Sequence, residues 1–272
     1  MLEPRLRCLL SSAIFLCVSH HIVYPSANIF TQIRISSTPD TTGIELYEKG
    51  DNVAAIKALK ATVKHNRADL TAWYYLGLAF DRQGKTSDAR KAHEKAAKLG
   101  DALIDARFTP LGGGDFRALF QEIHEPLSQA AESAKRYIAL NPKLSKSKLE
   151  DWIDREEYLR SFAGFSDTKN VDSSQYRILS GREVTTKARV TQKPEPQYTE
   201  KARQNQITGT VVLRAIFAAD GKVVGIFPLR ALPYGLTRSA IKAARRIKFI
   251  PATKDGQPVS MWMLLEYNFN LY

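Results

Sequence analysis

The sequence predicts an α+β protein: an N-terminal α-helical repeat array, then a C-terminal module with a three-stranded antiparallel sheet and two helices. Three observations carry this reading. Between Pro39 and Gly100 the chain repeats with a 34-residue offset, pairing Gly43 with Gly77, Leu46 with Phe80, Ala55 with Ala89 and Leu59 with His93. After Gly209, the residues Val211, Leu213, Ala215 and Phe217 alternate at two-residue spacing, the period of one strand face. The end of the chain alternates in the same way through Met261, Met263, Leu265, Tyr267, Phe269 and Leu271.

In chain order, the first segment is an export signal. Arg5 and Arg7 precede the apolar run Cys8–Val18, and Cys17-x-Ser19 offers small residues for cleavage. The run is shorter than the roughly twenty residues that span a bilayer. However, no Lys, Arg, Asp or Glu occurs between Arg7 and Arg34, so residues 1–27 read as a signal peptide or a signal anchor. Both cysteines, Cys8 and Cys17, lie in this segment, and a cleaved chain would have no thiol or disulfide chemistry.

Residues 36–164 form the helical domain. Glu48–Asn52 and Arg82–Thr86 are the turns, and Gly77 and Ala89 are small enough to let helices approach closely. Phe108–Phe116, with three consecutive glycines, interrupts a third repeat and reads as an insertion loop, since no Lys-Ser or Lys-Thr follows at phosphate-loop spacing. Helical spacing resumes from Gln121 to Pro142, and an amphipathic cap follows with Leu149, Trp152, Ile153, Tyr158 and Leu159 grouped. Residues 165–189 turn polar and read as a linker with one short strand.

Residues 190–272 build the module. A short helix over Tyr198–Gln206 precedes the Gly209 strand, and Asp220-Gly221 supplies the positive φ angles of a hairpin into Val223, Val224 and Ile226. Leu236, Ala240, Ala243 or Ala244, and Ile247 give a helix with a narrow apolar face. Phe249–Val259 reads as a loop with an Asp255-Gly256 turn before the final strand.

These residues resemble the TonB C-terminal domain family through Pro196-x-Tyr198, Ala202-Arg203, Gly209-x-Val211-x-Leu213, Asp220-Gly221, Phe249-x-Pro251-Ala252 and Gly256-x-Pro258-Val259. Thr199 stands where the family has proline, and the long Pro-rich spacer typical of TonB is missing. The N-terminal repeats resemble tetratricopeptide repeats. The first resemblance implies capture of a receptor peptide as an added strand on the final strand, with the stretch before Tyr198 touching the receptor. The implied partner-binding residues are Glu195, Pro196, Gln197, Tyr198, Trp262, Leu264, Glu266 and Asn268. The second implies a concave peptide groove, with Tyr47 and Tyr74 as its aromatics, while Trp73 packs between helices.

The net charge of +12 is uneven: from Lys187 onward, 14 Lys and Arg stand against 5 Asp and Glu. Such a module suits an acidic partner or an anionic surface, and no nucleic-acid-reading motif accompanies it, so nucleic acid is not expected. The histidines His20, His21, His65, His93 and His124 have no nucleophile or carboxylate partner at an identifiable spacing, and His93 falls where the repeat places a large packing residue. No metal, cofactor or catalytic motif is present, and an enzyme is not expected.

The leading expectation is an exported, periplasmic or cell-envelope protein that binds proteins or peptides. The alternatives are an energy transducer coupling ExbB/ExbD-like proteins to a TonB-dependent receptor through an inner-membrane anchor, and an envelope scaffold forming a homodimer through its last strand. The anchors of TonB use a serine four residues before a histidine; Leu16 and Cys17 hold those positions before His20 and His21.

Overall fold

The computed structural model describes residues 41–108, 116–163 and 178–271. The export signal, His20 and His21, and the triple-glycine loop lie outside the described residues, as does most of the polar linker. Among the described residues, no helix is long and apolar enough to cross a membrane.

Six helices build the first half: α1 (Thr42–Glu48), α2 (Asn52–His65), α3 (Leu70–Arg82), α4 (Thr86–Phe108), α5 (Phe116–Ala139) and α6 (Lys146–Ala163). Asp51 and Asp69 cap α2 and α3 by accepting from the amides of Ala54 and Ala72, which satisfies donors that the helix itself leaves open. The repeat offset then becomes a packing rule. A Cβ on Gly43 would lie 2.7 Å from Leu59, and one on Gly77 would lie 2.5 Å from the His93 ring, so each glycine admits the equivalent side chain of the next helix. Gly100 repeats the device, 2.5 Å from the Ala130 Cβ. Ala55, Leu59, Ala79, Ala89, Ala96 and Ala134 are fully buried between these helices. In the cap, Trp152, Tyr158 and Leu159 are buried as expected, whereas Ile153 is 41% exposed, because the buried stripe runs through Leu159, Phe162 and Ala163 instead.

The module contains β1 (Ile178–Leu179), β2 (Arg189–Gln192), α7 (Glu200–Gln204), β3 (Gly209–Phe217), β4 (Val223–Arg230), α8 (Leu236–Ala244), β5 (Lys248–Ile250), β6 (Ala252–Lys254) and β7 (Gln257–Phe269). The main sheet runs β1-β7-β3-β4, with β6 also on β7. The expected antiparallel trio β3, β4 and β7 is its centre, in register from Gly209 opposite Phe269 to Phe217 opposite Met261. Val211, Leu213, Ala215, Phe217, Met261, Leu265, Tyr267 and Phe269 fill the face beneath α8, all buried, and each large side chain contributes roughly 2–3 kcal/mol by leaving water. Pro228 sits in the edge strand β4 beside a register shift, where its missing N–H leaves no ladder bond unmade.

The stretch Phe249–Val259 is not a loop. β5 pairs antiparallel with β2, and β6 folds onto the start of β7 through Asp255 (φ 51°) and Gly256 (φ 77°), the left-handed pair of a tight hairpin. The polar linker also joins the module at its end. β1 pairs parallel with Ser260 and Met261, and Thr186 bridges Thr253. The sheet is therefore mixed and larger than three strands.

Candidate functional site

β7 has two sides. One is paired with β3 from Met261 to Phe269, and the other meets β1 at Ser260–Met261, while β6 pairs with Gln257–Val259. From Trp262 to Phe269, no strand among the described residues pairs with that second side. The Glu266 carbonyl accepts a hydrogen bond from Lys193 Nζ (2.6 Å). It therefore points away from β3, and strand alternation directs the N–H and C=O of Trp262, Leu264 and Asn268 the same way. A lysine over an unpaired edge is a common guard against unwanted pairing. The same ammonium lies 4.6 Å from the Tyr267 ring centroid.

The expected outer-face residues differ in what covers them. Leu264 is 63% exposed and Glu266 is exposed, while the Asn268 side chain accepts from Thr210 Oγ1 (2.7 Å). Trp262 is half-buried under Arg214, whose guanidinium carbon lies 4.0 Å from the ring centroid, with Phe227 at 6.0 Å. Its apolar ring thus has a partner within the chain, and Leu264 is left as the bare apolar side chain of this face.

The stretch before Tyr198 runs beside the end of β7. Tyr198 stacks edge-on with Phe269 at 5.8 Å and donates its hydroxyl to the Ile207 carbonyl. The Gln197 carbonyl accepts from Ser239 (2.6 Å), and Glu195 and Pro196 lie between. Burial, reinforced by the Glu195 carboxylate, pushes the Tyr267 hydroxyl up to about 12. That hydroxyl is buried and has no hydrogen-bond partner among the described residues. Thr199, in the place of a proline, caps α7 by accepting from the Ala202 amide and donates to the Tyr234 carbonyl (2.7 Å). Trp262, Leu264, Glu266 and Asn268 thus lie along β7, and Tyr198 meets its end at Phe269.

In the repeats, Tyr47 and Tyr74 each pack edge-on against Tyr75, at 5.5 and 5.2 Å. Tyr75 was missed because its neighbour Tyr74 holds the motif-like position. Arg82 lies 3.7 Å over the Tyr47 ring and donates to the Tyr47 carbonyl, which occupies one face of that ring. Burial raises the pKa of both Tyr74 and Tyr75. Trp73 packs beside the repeat core, as expected, and its indole N–H donates to the Arg67 carbonyl.

His93 does have polar partners, which spacing alone hid because both lie on other helices. Its Nε2 is 3.1 Å from Asp81 Oδ2 and its Nδ1 is 3.4 Å from Ser133 Oγ, while Arg136 also reaches Asp81. His93 and Ser133 are both fully buried, while the Asp81 side chain is 21% exposed. Burial holds the imidazole below its usual pKa, against the opposing pull of Asp81. Among the described residues no group of His, Cys, Asp and Glu has the arrangement of a metal site.

Residues 194–271 match the family model described as Gram-negative bacterial TonB protein C-terminal, and residues 41–106 match a tetratricopeptide repeat model. Among solved structures the chain is similar to the solution NMR structure of the Pseudomonas aeruginosa TonB CTD. That match has 20% identity and a TM-score of 0.29, and covers 35% of this chain and 94% of that one. No curated protein matches the chain.

Proposed function

We propose that this chain is a non-catalytic cell-envelope protein that binds a partner by accepting an extended peptide as a new strand along Trp262–Phe269. The supporting observation is the unpaired side of β7, where main-chain donors and acceptors face outward beside the bare Leu264 side chain. Main-chain pairing supplies affinity in such complexes, and alternate side-chain contacts supply selectivity. Glu195, Pro196, Gln197 and Tyr198 border the end of the same strand and would contact the guest next to its main-chain bonds. The TonB and tetratricopeptide matches support protein partners, and an outer-membrane receptor peptide is one such partner in this reading. The groove around Tyr47, Tyr74 and Tyr75 is a second contact surface in this reading.

The test is titration of labelled N-terminal receptor peptides against the unmodified chain and Leu264→Pro. This change removes an outward N–H and no bond to β3. Affinity is expected to fall about tenfold, roughly 1.4 kcal/mol, with the circular dichroism spectrum retained; equal affinity refutes strand addition. Concentration-dependent dimerisation abolished by the same substitution would instead identify a second copy's β7 as the occupant. Energy transduction from an ExbB/ExbD-like channel is a second reading, favoured by the TonB domain match. It requires a retained membrane segment, which N-terminal sequencing of the mature chain checks.

A further inference from the structure

The strongly basic module faces a specific acidic surface within the same chain. Arg238, in the first turn of α8, places Nε 2.7 Å from Asp154 Oδ2 on α6 and donates from a terminal nitrogen to the Asp151 carbonyl (3.0 Å). Arg245, just past the end of α8, reaches Asp154 Oδ1 at 3.5 Å and pairs with Glu157. Asp154 is thus shared by two arginines, and its side chain is only 14% exposed. A third contact comes from α4, where Asp105 Oδ1 accepts from the Tyr234 N–H (3.2 Å).

Tyr234 makes that third contact informative. It carries φ 56°, a conformation that a bulky residue adopts only when its surroundings enforce it. Its N–H is held by Asp105 of the repeats, its carbonyl by Thr199 of the module, and Lys201 Nζ lies 4.9 Å from its ring centroid. The strained turn that launches α8 is therefore braced partly from the other domain. Further charged groups close the patch: Arg155 pairs with Asp101 at 2.7 Å on the repeat side, next to buried Tyr158. Beside it, α6 also packs against β4, the edge of the sheet opposite β7.

We infer that the end of the repeat array is a docking surface for the chain's own module, holding α8 in an electrostatic clasp built from Asp105, Asp154 and Glu157 on one side and Tyr234, Arg238 and Arg245 on the other. The clasp sets α6 against β4, beside a cleft lined by Val223–Phe227, Glu157, Arg160 and Arg245. It accounts for part of the positive charge of the module without any external acidic partner. It is independent of what, if anything, pairs with β7.

Small-angle scattering on size-fractionated full-length chain at low salt tests it. The unmodified chain is expected to be compact. Arg238→Glu with Arg245→Glu, or Asp154→Arg with Glu157→Arg, should expand the radius of gyration by about 5 Å, as expected when two modest domains separate. Combining all four changes should restore the compact value. Amide exchange gives an independent readout: Tyr234 should lose protection by at least about tenfold in either one-sided variant, while Val211–Phe217 of β3 stays protected. A one-sided reversal with unchanged radius and unchanged Tyr234 exchange overturns the clasp. So does a combined variant as expanded as the one-sided ones, whether or not β3 remains protected, since a clasp between folded halves requires rescue.

Discussion

The repeat array and the C-terminal module solve the same packing problem with opposite residues. In the array, every helix satisfies its own backbone, so stability depends on how closely helices approach, and Gly43, Gly77 and Gly100 each leave room for a neighbour's side chain. In the module the backbone is satisfied between strands, so an outermost strand always has a surplus, and the residues beside β7 are arranged around that surplus. In the proposed function the array would offer partners its side chains and the module its main chain. Gly43, Gly77 and Gly100, within the array's helices, are therefore packing residues, whereas Gly50 and Gly84 in its turns, like Gly221 and Gly256 in the module, have positive φ and open space where a Cβ would stand.

The largest effect that separates the two regions is expected at Gly77. Gly77→Ala would drive a methyl to within 2.5 Å of a fully buried ring and should destabilise the array by about 3 kcal/mol in chemical denaturation. Gly256→Ala meets no atom and carries only the cost of a left-handed alanine, about 1–2 kcal/mol. Equal losses would remove the distinction between packing and turn glycines.

A smaller effect concerns pH. Because burial holds His93 below its unfolded pKa, the unfolded chain takes up a proton first as pH falls. The stability contributed by neutral His93 is fully present above about pH 6.5 and declines below it, by no more than about 1.4 kcal/mol per pH unit for one proton. Asp101, Asp105 and Glu157 have pKa values raised by burial and act in the opposite sense, favouring the folded state as they protonate. The difference between the unmodified chain and His93→Leu, the residue type that the first repeat uses at Leu59, isolates the histidine. Its thermal midpoint difference should change steadily between pH 7 and 5, and a constant difference would contradict the burial argument.

The smallest effect is expected in the module. Tyr267→Phe removes a hydroxyl that is buried without a partner among the described residues and should stabilise by about 1 kcal/mol, measured as a raised denaturation midpoint. A loss of stability would mean that the hydroxyl is bonded after all.

Patterns that depend on near neighbours were legible in the sequence. Alternation through Val211–Phe217, the Asp220-Gly221 turn, the apolar stripe of α8 and the 34-residue offset all follow from local periodicity, and each reappears at the expected residues, except that in the turn Gly221 (φ 83°) has a positive φ and Asp220 does not. Pairings that depend on distant partners were not legible. β5 is three residues long and exists because β2 lies beside it; β6 exists because β7 begins there, and neither shows an alternation of its own. Ile153 was grouped with the buried stripe on spacing alone, but it points to solvent. In the site, Leu264 was legible as an apolar residue on the wrong face. Lys193, Arg214 and Tyr75 were not, because their roles come from what they cover and not from where they fall in a motif.

The two-residue strand β1 has a consequence for selectivity. It lies parallel to β7 at Ser260 and Met261, and the chain then turns away through Ser180–Glu183. Under the proposed strand addition it would be an end-stop on a track about 26 Å long at strand spacing. A guest would then be unable to slide past it, and its alignment would be set by counting from this zero mark as well as by side-chain fit. Partners of unrelated sequence would then share a common distance between their anchoring residue and the blocked end.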